Sequence, residues 1–318
     1  MSENKKPIRF KALEVGAIKP DSTLTKFKIE NFGPVKEGEI ELGDITLFLG
    51  YPSTGKSYIM RSLYPVFVFS KFGTLFVPYY REFSVLIPDD VQRDIGYMFG
   101  LSYTSFIAHF YEGKKILKTQ PNDEAKKYII DLLRELVGDI QVDDNNRIYY
   151  KNDLILPAET SAMTTELTAM LIPLLDIKTP AYVFIEEPEA HIHYAYQLVL
   201  AVIFLSLVNL GYKFVISTHS DIFAQFLGEL VKYKPSKEKI LELLKNVIGD
   251  IPPTFDKMTA RAVEALKQIS LKTYYFTKEG KVVQHSIDSL IITTPGISVE
   301  VMNKLFDWTI DISSRNDC

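Results

Sequence analysis

Two glycines five residues apart, followed directly by a Lys-Ser pair, mark residues 49–57 (LGYPSTGKS) as a candidate phosphate-binding loop. Glycines let backbone N–H groups wrap closely around phosphate oxygens, and a following helix points its positive end at the same anion. The lysine can reach the β- and γ-phosphates, and the serine hydroxyl can ligate Mg²⁺. The pattern predicts a P-loop, with an ordinary glycine-rich turn as the alternative. Its nucleotide-binding residues would be Gly50, Tyr51, Pro52, Ser53, Thr54, Gly55, Lys56, Ser57 and Tyr58.

A second candidate follows the apolar run Val183-Phe184-Ile185, which ends in Glu186-Glu187-Pro188. Ligands of open α/β sheets bind at the carboxyl ends of strands, so we expect these carboxylates to lie beside the P-loop. Glu186 would then hold Mg²⁺ through water, and Glu187 would orient or deprotonate the attacking water. A solvated acidic loop is the alternative interpretation.

The next apolar run ends in Ser217-Thr218-His219-Ser220. We expect His219 to contact the γ-phosphate, and the alternative is a strand-end turn capped by serine. His191 and His193, together with His219 and Glu189, raise the further alternative of a histidine-based metal site. A Mg²⁺ ion bound by oxygen ligands accounts for the carboxylates without a histidine-based metal site.

The elements that carry these candidates are short apolar runs, which are typical of strands buried on both faces. Residues 24–49 predict an antiparallel strand pair that leads into a core strand ending at Gly50. AYVFIEEPEAHIH and YKFVISTHS each predict a buried strand, and an apolar helix at about 195–209 lies between them. This order predicts a parallel sheet, and therefore an α/β fold of the P-loop NTPase class.

The chain outside this core shows other patterns. Residues 64–83 are aromatic and favour core over interface, 122–138 predict an amphipathic helix, and Asp144-Asn145-Asn146 predict a hairpin turn. Two further helices and a strand pair are predicted near the carboxyl end, at 236–248, 257–269 and KTYYFTKEGKVVQHSI. The predicted divisions are an amino-terminal arm (1–23), a core (24–64 and 154–230), an inserted lobe (65–153) and a carboxyl-terminal segment (231–318).

Composition limits the class of protein. Of the 318 residues, 47% are apolar and 24% are charged, which is ordinary for a folded globular chain. The net charge of −4 gives no general attraction to nucleic acid or to an anionic membrane. The longest apolar run, 198–208, is too short to span a bilayer, and the single cysteine, Cys318, is typical of a reducing compartment. We expect a cytoplasmic protein with no membrane partner.

The ordered set GYPSTGKS, VFIEEPEAHIH and VISTHS resembles the ABC-type ATPase heads of SMC and RecF proteins. It looks most like compact ATP-binding proteins related to OLD nucleases, whose opening stretch is similar to FKIENFGPVKEGEIEL. The likeness covers about 24–57 and 155–226. It implies an ABC-type head with an antiparallel β subdomain and an inserted lobe, which uses ATP and Mg²⁺. It also implies catalytic roles for Lys56, Glu187 and His219, and metal ligation by Ser57 and Glu186.

Two positions depart from this resemblance. The families carry a Ser-Gly signature that binds the γ-phosphate of the partner subunit, and the matching residues here are Ser161 and Ala162. A side chain on Ala162 would crowd the phosphate, so ATP binding is expected more firmly than efficient hydrolysis. The glutamine that such heads place between the P-loop and the lobe has only Gln92 and Gln120 as candidates, and neither has a matching context.

The leading hypothesis is an ATPase that forms a homodimer around two nucleotides and clamps or switches DNA or an effector protein. A second hypothesis is a nucleotide sensor with low turnover. A third is the ATPase subunit of a two-component nuclease or defence system, since the residues after His219 lack the carboxylate patterns that we expect of the TOPRIM domain of OLD proteins. A GTPase or small-molecule kinase is the remaining alternative, and it leaves EEPEAHIH without a role.

Overall fold

The computed structural model describes residues 17–20, 25–86, 101–119, 121–145, 147–150, 161–286 and 307–312. Most of the predicted arm, the candidate glutamines Gln92 and Gln120, and Cys318 lie outside these residues.

Eleven strands are found within the described ranges. They are β1 (Ala17–Pro20), β2 (Lys26–Phe32), β3 (Val35–Glu41), β4 (Ile45–Gly50), β5 (Gly73–Val77), β6 (Ile140–Val142), β7 (Ile148–Tyr150), β8 (Ala181–Glu186), β9 (Tyr212–Ser217), β10 (Leu271–Phe276) and β11 (Lys281–His285).

The described residues also form ten α-helices. They are α1 (Lys56–Val68), α2 (Phe83–Leu86), α3 (Leu101–Lys118), α4 (Glu124–Val137), α5 (Ala162–Leu171), α6 (Tyr194–Val208), α7 (Asp221–Tyr233), α8 (Lys237–Ile248), α9 (Thr254–Leu266) and α10 (307–312), with a 3-10 helix at Ile172–Asp176. None of the described helices is both long and apolar enough to cross a membrane.

Nine strands form one mixed sheet in the order β1-β2-β3-β11-β10-β4-β9-β8-β5. The run from β10 to β5 is parallel, and β1, β2 and β3 pair antiparallel at the other side. The predicted α/β class, the parallel core and the antiparallel pair before the P-loop are confirmed.

The sheet is buried on both faces because alternate residues of its central strands enter two different cores. Ile45 and Leu47 of β4 face the core formed with α3 to α9, whereas Phe48 faces the core formed with α1 and with β2 and β3. All six residues of β8 are buried, which explains why its sequence reads as a continuous apolar run.

Strands from the predicted lobe and the predicted carboxyl-terminal segment are part of the main sheet. Helix α1 continues to Val68, and β5, which the sequence placed in the lobe, pairs in parallel with β8 at the edge of the main sheet. β10, from the predicted carboxyl-terminal segment, lies beside β4 in the middle of the sheet. The five described strands up to Val77 therefore belong to the main sheet, and so do β10 and β11.

The predicted local elements of the remaining chain are present. Asp123 caps α4 by accepting a hydrogen bond from the N–H of Lys126, and the helix ends at Gly138. β6 and β7 form the predicted hairpin. In the aromatic stretch, Tyr64, Phe67 and Phe76 are buried, so that stretch is mostly core, although Phe69 and Tyr80 are exposed.

Candidate active site

The P-loop joins β4 to α1 and adopts a backbone that its glycines require. Gly50 has φ 129° and Gly55 has φ 104°, a region that residues with side chains rarely adopt. A Cβ atom on Gly50 would lie 2.4 Å from the carbonyl oxygen of Phe276, and one on Gly55 would lie 2.8 Å from Cγ of Pro34. The loop is therefore packed against β10 on one side and the turn between β2 and β3 on the other.

Two exposed tyrosines flank the loop. Tyr51 lies under Nζ of Lys278, 4.1 Å from the ring centre, and its carbonyl accepts a hydrogen bond from the Thr54 hydroxyl at 2.8 Å. The ring of Tyr58, on α1, lies 5.1 Å from that of Phe32. Both tyrosines were predicted to contact nucleotide, and that role stays a prediction.

Lys56 is folded back over the loop. Its Nζ donates hydrogen bonds to the carbonyl oxygens of Gly50 (2.8 Å) and Tyr51 (2.9 Å), and only 5% of the residue is exposed. Burial lowers the pKa of Lys56 to about 8, against the opposing charges of Glu187 and Glu189. The ammonium group thus lies at the loop, where phosphate oxygens can replace the two carbonyls as its acceptors.

The lowered pKa of Lys56 predicts that ATP affinity falls above about pH 8. Bound phosphates favour the ammonium form and raise its pKa, so binding above this pH requires the uptake of one proton. We expect the dissociation constant for ATP to be level from about pH 7 to 8 and then to rise about tenfold per pH unit. Equilibrium binding titrations measure this dependence.

The matched control is Lys56→Arg, because a guanidinium keeps its charge across this range. That variant is expected to bind ATP more weakly but with a level pH profile. A wild-type profile that stays level to about pH 9.5 would show that the lysine does not titrate near the site.

Glu186, the last residue of β8, is 1% exposed and is already paired with a cation. Arg61 donates from Nε to Oε1 (2.9 Å) and from Nη2 to Oε2 (2.8 Å), and the N–H of Tyr79 donates to Oε2 (3.2 Å). The hydrogen bond to Glu186 raises the pKa of Arg61. Hydroxyl and carboxylate oxygens suit Mg²⁺, so Ser57 and Glu186 fit the ion chemically. Direct ligation by Glu186 would first require Arg61 to release the carboxylate. The predicted contact of Glu186 with Mg²⁺ through water stays a prediction.

We expect Arg61→Met to lower the Mg²⁺ concentration that half-saturates ATP turnover. The ion would no longer compete with a guanidinium for Glu186, and a charged hydrogen-bonded pair contributes about 1.5–3 kcal/mol, reduced here because half of Arg61 is exposed. A reduction of about tenfold follows, together with a lower melting temperature because Glu186 is left buried and unpaired.

The control for this prediction is Arg134→Met, which removes an exposed arginine from α4. It should leave both the magnesium requirement and the melting temperature nearly unchanged. An unaltered magnesium requirement in Arg61→Met would mean that Arg61 and the ion do not compete.

Glu187 and His219 meet at the ends of β8 and β9. Oε1 of Glu187 lies 3.6 Å from Nε2 of His219, and about one-third of each side chain is exposed (32% and 35%). Burial, followed by the charge of Lys56, lowers the pKa of His219, so its imidazole is neutral at pH 7. A cavity of about 250 Å³ adjoins the pair. The structure therefore brings Glu187 and His219 into range of the charge of Lys56.

Backbone hydrogen bonds continue past the strand ends and hold these residues in place. The N–H of Glu187 donates to the carbonyl of Ser217 (2.8 Å), and the N–H of Thr218 donates to that of Phe48 (3.1 Å). The ends of β8, β9 and β4 are thus tied together, which is the arrangement expected at the ligand-binding edge of a parallel sheet.

Glu189 fixes the turn that carries His219. Its Oε1 accepts hydrogen bonds from the Thr218 hydroxyl (2.7 Å), the N–H of His219 (2.7 Å) and the N–H of Ser220 (3.1 Å). Ser220 in turn caps α7 by accepting from the N–H of Phe223 (3.1 Å). The serine cap considered from the sequence is therefore present, and the predicted contact of His219 with the γ-phosphate stays a prediction.

The other two candidate histidines have separate partners. Nδ1 of His191 lies 2.9 Å from Oε1 of Glu166, and Nδ1 of His193 accepts from the N–H of Ala195 (3.3 Å) at the start of α6. Across the described ranges, no three His, Cys, Asp or Glu side chains are grouped to hold a metal ion. The histidine-based metal site is thus not formed by these residues.

Ser161 caps α5 at the surface. Its hydroxyl accepts a hydrogen bond from the N–H of Thr164 (3.2 Å), and Ser161 and Ala162 are both exposed. Among the described residues, the side-chain hydrogen bonds of Ser161 stay within its own helix, and none of them reaches the P-loop of the same molecule. The structure therefore does not bring Ser161 to the other candidates, and its contact with nucleotide stays a prediction.

Three residues at the site were not assigned these roles from the sequence. Arg61 lies four residues after Ser57 on α1, so helical spacing could have placed it on the same face. Glu189 was considered only as a metal ligand. Arg81 reaches the site from a turn after β5, and no local pattern indicated it.

Comparison with protein families gives a match to the family described as AAA ATPase domain (AAA_15), over residues 175–224. This stretch contains β8, α6, β9 and the residues Glu186, Glu187 and His219, and it does not reach the P-loop. No curated protein matches the chain. The match supports ATP binding and ATPase activity. Over residues 175–224 the chain is therefore similar to an AAA ATPase domain, set in an α/β sheet of the kind that P-loop NTPases have.

Proposed function

We propose that the protein is an ATPase that dimerises around ATP and uses the nucleotide to clamp or switch a partner, either DNA or an effector protein. The observation that carries the proposal is that Glu187 and His219 lie 3.6 Å apart at the ends of β8 and β9, within range of the charge of Lys56, which follows the adjacent strand β4. A buried cation for phosphate and a carboxylate beside a neutral imidazole are the groups that phosphoanhydride hydrolysis needs.

Each of the three side chains has a distinct part in this proposal. Lys56 exchanges its two backbone acceptors for phosphate oxygens, so it binds and orients the nucleotide. Glu187 accepts a proton from the attacking water, and His219 contacts the γ-phosphate as a hydrogen-bond donor. Mg²⁺ would neutralise phosphate charge, with Ser57 and Glu186 as its protein ligands.

Dimerisation is proposed because part of the predicted site lies on another surface. The positive end of α5, capped by Ser161, is exposed, and the hydrogen bonds of the Ser161 side chain leave this end of the helix open to another molecule. A second copy related by two-fold symmetry would place the same helix end against each nucleotide. Tyr51, Tyr58, Tyr80 and Tyr194 are exposed around the candidate site, and tyrosine is enriched in protein interfaces.

A mixing experiment tests the composite site. Lys56→Ala and Ser161→Arg are each expected to be inactive alone. In a mixed dimer, one site would combine both defects and the other would be intact. We therefore expect mixing to restore about a quarter of wild-type turnover, because half of the dimers are mixed. No restoration, with both variants folded and ATP present, would contradict a shared site.

Duplex DNA separates the two proposed partners. ATP turnover of the wild type is measured with and without it, at several salt concentrations, since phosphate contacts weaken as salt rises. Salt-sensitive stimulation would support a DNA clamp. Turnover that DNA leaves unchanged would support an effector protein.

A nucleotide sensor with low turnover is the second candidate. It is favoured by the Arg61–Glu186 pair, which occupies a predicted magnesium ligand, and by the side chain of Ala162. ATP binding without measurable turnover in the wild type, with or without DNA, would support the sensor and contradict the ATPase.

A further inference from the structure

Arg81 is completely buried next to the catalytic strand end. It lies in the turn after β5, and none of its surface is exposed. Nη1 donates to the carbonyl oxygen of Glu186 (2.8 Å), and Nη2 donates to that of Glu187 (3.0 Å). A third donated bond, from Nη1 to the carbonyl of Pro78 (3.3 Å), ties the guanidinium to its own turn. One side chain thus holds the peptide carbonyls on both sides of the Cα atom of Glu187.

The opposite edge of the same guanidinium contacts α5. Nε of Arg81 lies 2.7 Å from Oε2 of Glu166, a carboxylate that is 1% exposed. Glu166 lies five residues after Ser161, which caps this helix, and its other oxygen faces Nδ1 of His191 at 2.9 Å. A continuous set of contacts therefore joins the Ser161-capped helix to the backbone of Glu187.

The segment held by these contacts has an unfavourable backbone. Glu187 has φ 45° and His191 has φ 59°, and neither is glycine. Left-handed conformations of such residues persist only where surrounding contacts enforce them. Arg81 bonds the carbonyl of the first, and Glu166 contacts the side chain of the second. The two ends of the 187–191 loop are thus fixed by one buried ion pair.

We infer that Arg81 is a positioning residue for Glu187, and that through Glu166 it couples the orientation of Glu187 to the Ser161-capped helix. The inference rests on the proposed ATPase function. A buried charge is costly unless its partners are well placed, so an arginine here is a specific choice over an apolar side chain. A planar guanidinium can reach two carbonyls and one carboxylate at once, whereas lysine presents a single ammonium.

Arg81→Lys tests the inference, because it keeps the positive charge and removes the planar guanidinium that bonds several acceptors at once. We expect kcat for ATP to fall about 10- to 100-fold, the effect of a misplaced catalytic group, while the dissociation constant for ATP changes less than about threefold. Arg261→Lys is the matched control, since Arg261 is also largely buried and bonds Asn209 and Glu124 away from the site. It should leave both quantities unchanged.

A double variant distinguishes a positioning effect on Glu187 from a loss of folded protein. If Arg81 acts through Glu187, Arg81→Lys will not slow the residual single-turnover rate of Glu187→Gln any further. A loss of folded protein would instead lower the rate equally in both backgrounds, and that additive result would overturn the inference.

Hydrogen exchange gives a readout that does not depend on ATP turnover. In Arg81→Lys and in Glu166→Gln, the amides of 186–191 and of the first turn of α5 should exchange faster together, by about tenfold, and Arg261→Lys should not show this. Unchanged exchange at both places would overturn the coupling. If the wild type lacks ATP turnover and the two variants still show the joint increase in exchange, the proposed function is contradicted and the coupling is supported.

Discussion

Glu187→Gln should lower ATP turnover by about 10³-fold while the dissociation constant for ATP changes less than about threefold. An amide cannot accept the proton of the attacking water, and the substitution keeps the shape of the side chain. The carboxylate is one-third exposed and 3.6 Å from His219, so it can face the nucleotide without being a main source of binding energy. The backbone bonds of Glu187 to Ser217 and Arg81 do not involve the carboxylate, and the variant should fold normally.

Single-turnover phosphate release and equilibrium ATP binding measure the two quantities separately. Under the dimer proposal, the same variant should accumulate an ATP-bound dimer, which sedimentation detects. Glu238→Gln, an exposed position on α8, is the control and should behave as wild type. Turnover within threefold of wild type in Glu187→Gln would remove this residue from the reaction, and a variant that stays monomeric with ATP at high concentration would count against dimerisation.

Lys56→Ala should weaken ATP binding by about 2–4 kcal/mol, which is about 30- to 1,000-fold in the dissociation constant. Lys56 is the cation nearest the loop backbone, and its Nζ is already desolvated there. Removing it takes away the one lysine ammonium that the proposal assigns to the phosphates. The free energy of unfolding without ligand should change little, because the loss of two hydrogen bonds is offset by the loss of a buried charge.

Calorimetric or fluorescence titration measures the affinity, and thermal melts without nucleotide test the second expectation. Lys278→Ala is the matched control, since Lys278 also lies beside Tyr51 but is exposed. Its loss should cost less than about fivefold, as for other exposed charges. Equal effects of the two substitutions would show that ATP affinity depends on the overall positive charge near the loop rather than on the position of Lys56.

Local patterns predicted the parts of this protein that local physics decides. The two glycines of the P-loop pattern occupy positions where a Cβ atom would overlap with Phe276 or Pro34. The apolar runs matched β8 and β9, which are covered on both faces. The amphipathic pattern of 122–138 matched α4, and Asp123 and Gly138 cap its two ends, because capping involves residues only a few positions apart.

Contacts between distant residues could not be predicted in this way. Arg61 and Glu186 are 125 positions apart, and nothing near either residue indicates that they pair. β10 was expected in a tail segment but lies beside β4, where parallel pairing depends on how the whole sheet is ordered. β5, which lies within the predicted lobe, pairs with β8 of the main sheet, and no local pattern indicates this pairing.

The sequence by itself determined the P-loop, the two carboxylates, His219 and the α/β class, since each depends on residue types at short spacing. The tertiary structure decided which charges meet. It placed Arg61 on Glu186, Glu189 beneath His219, and Arg81 between Glu187 and Glu166. These pairings arise because buried charges must find partners, and the partners available to each are set by the packing of strands and helices far apart in the chain.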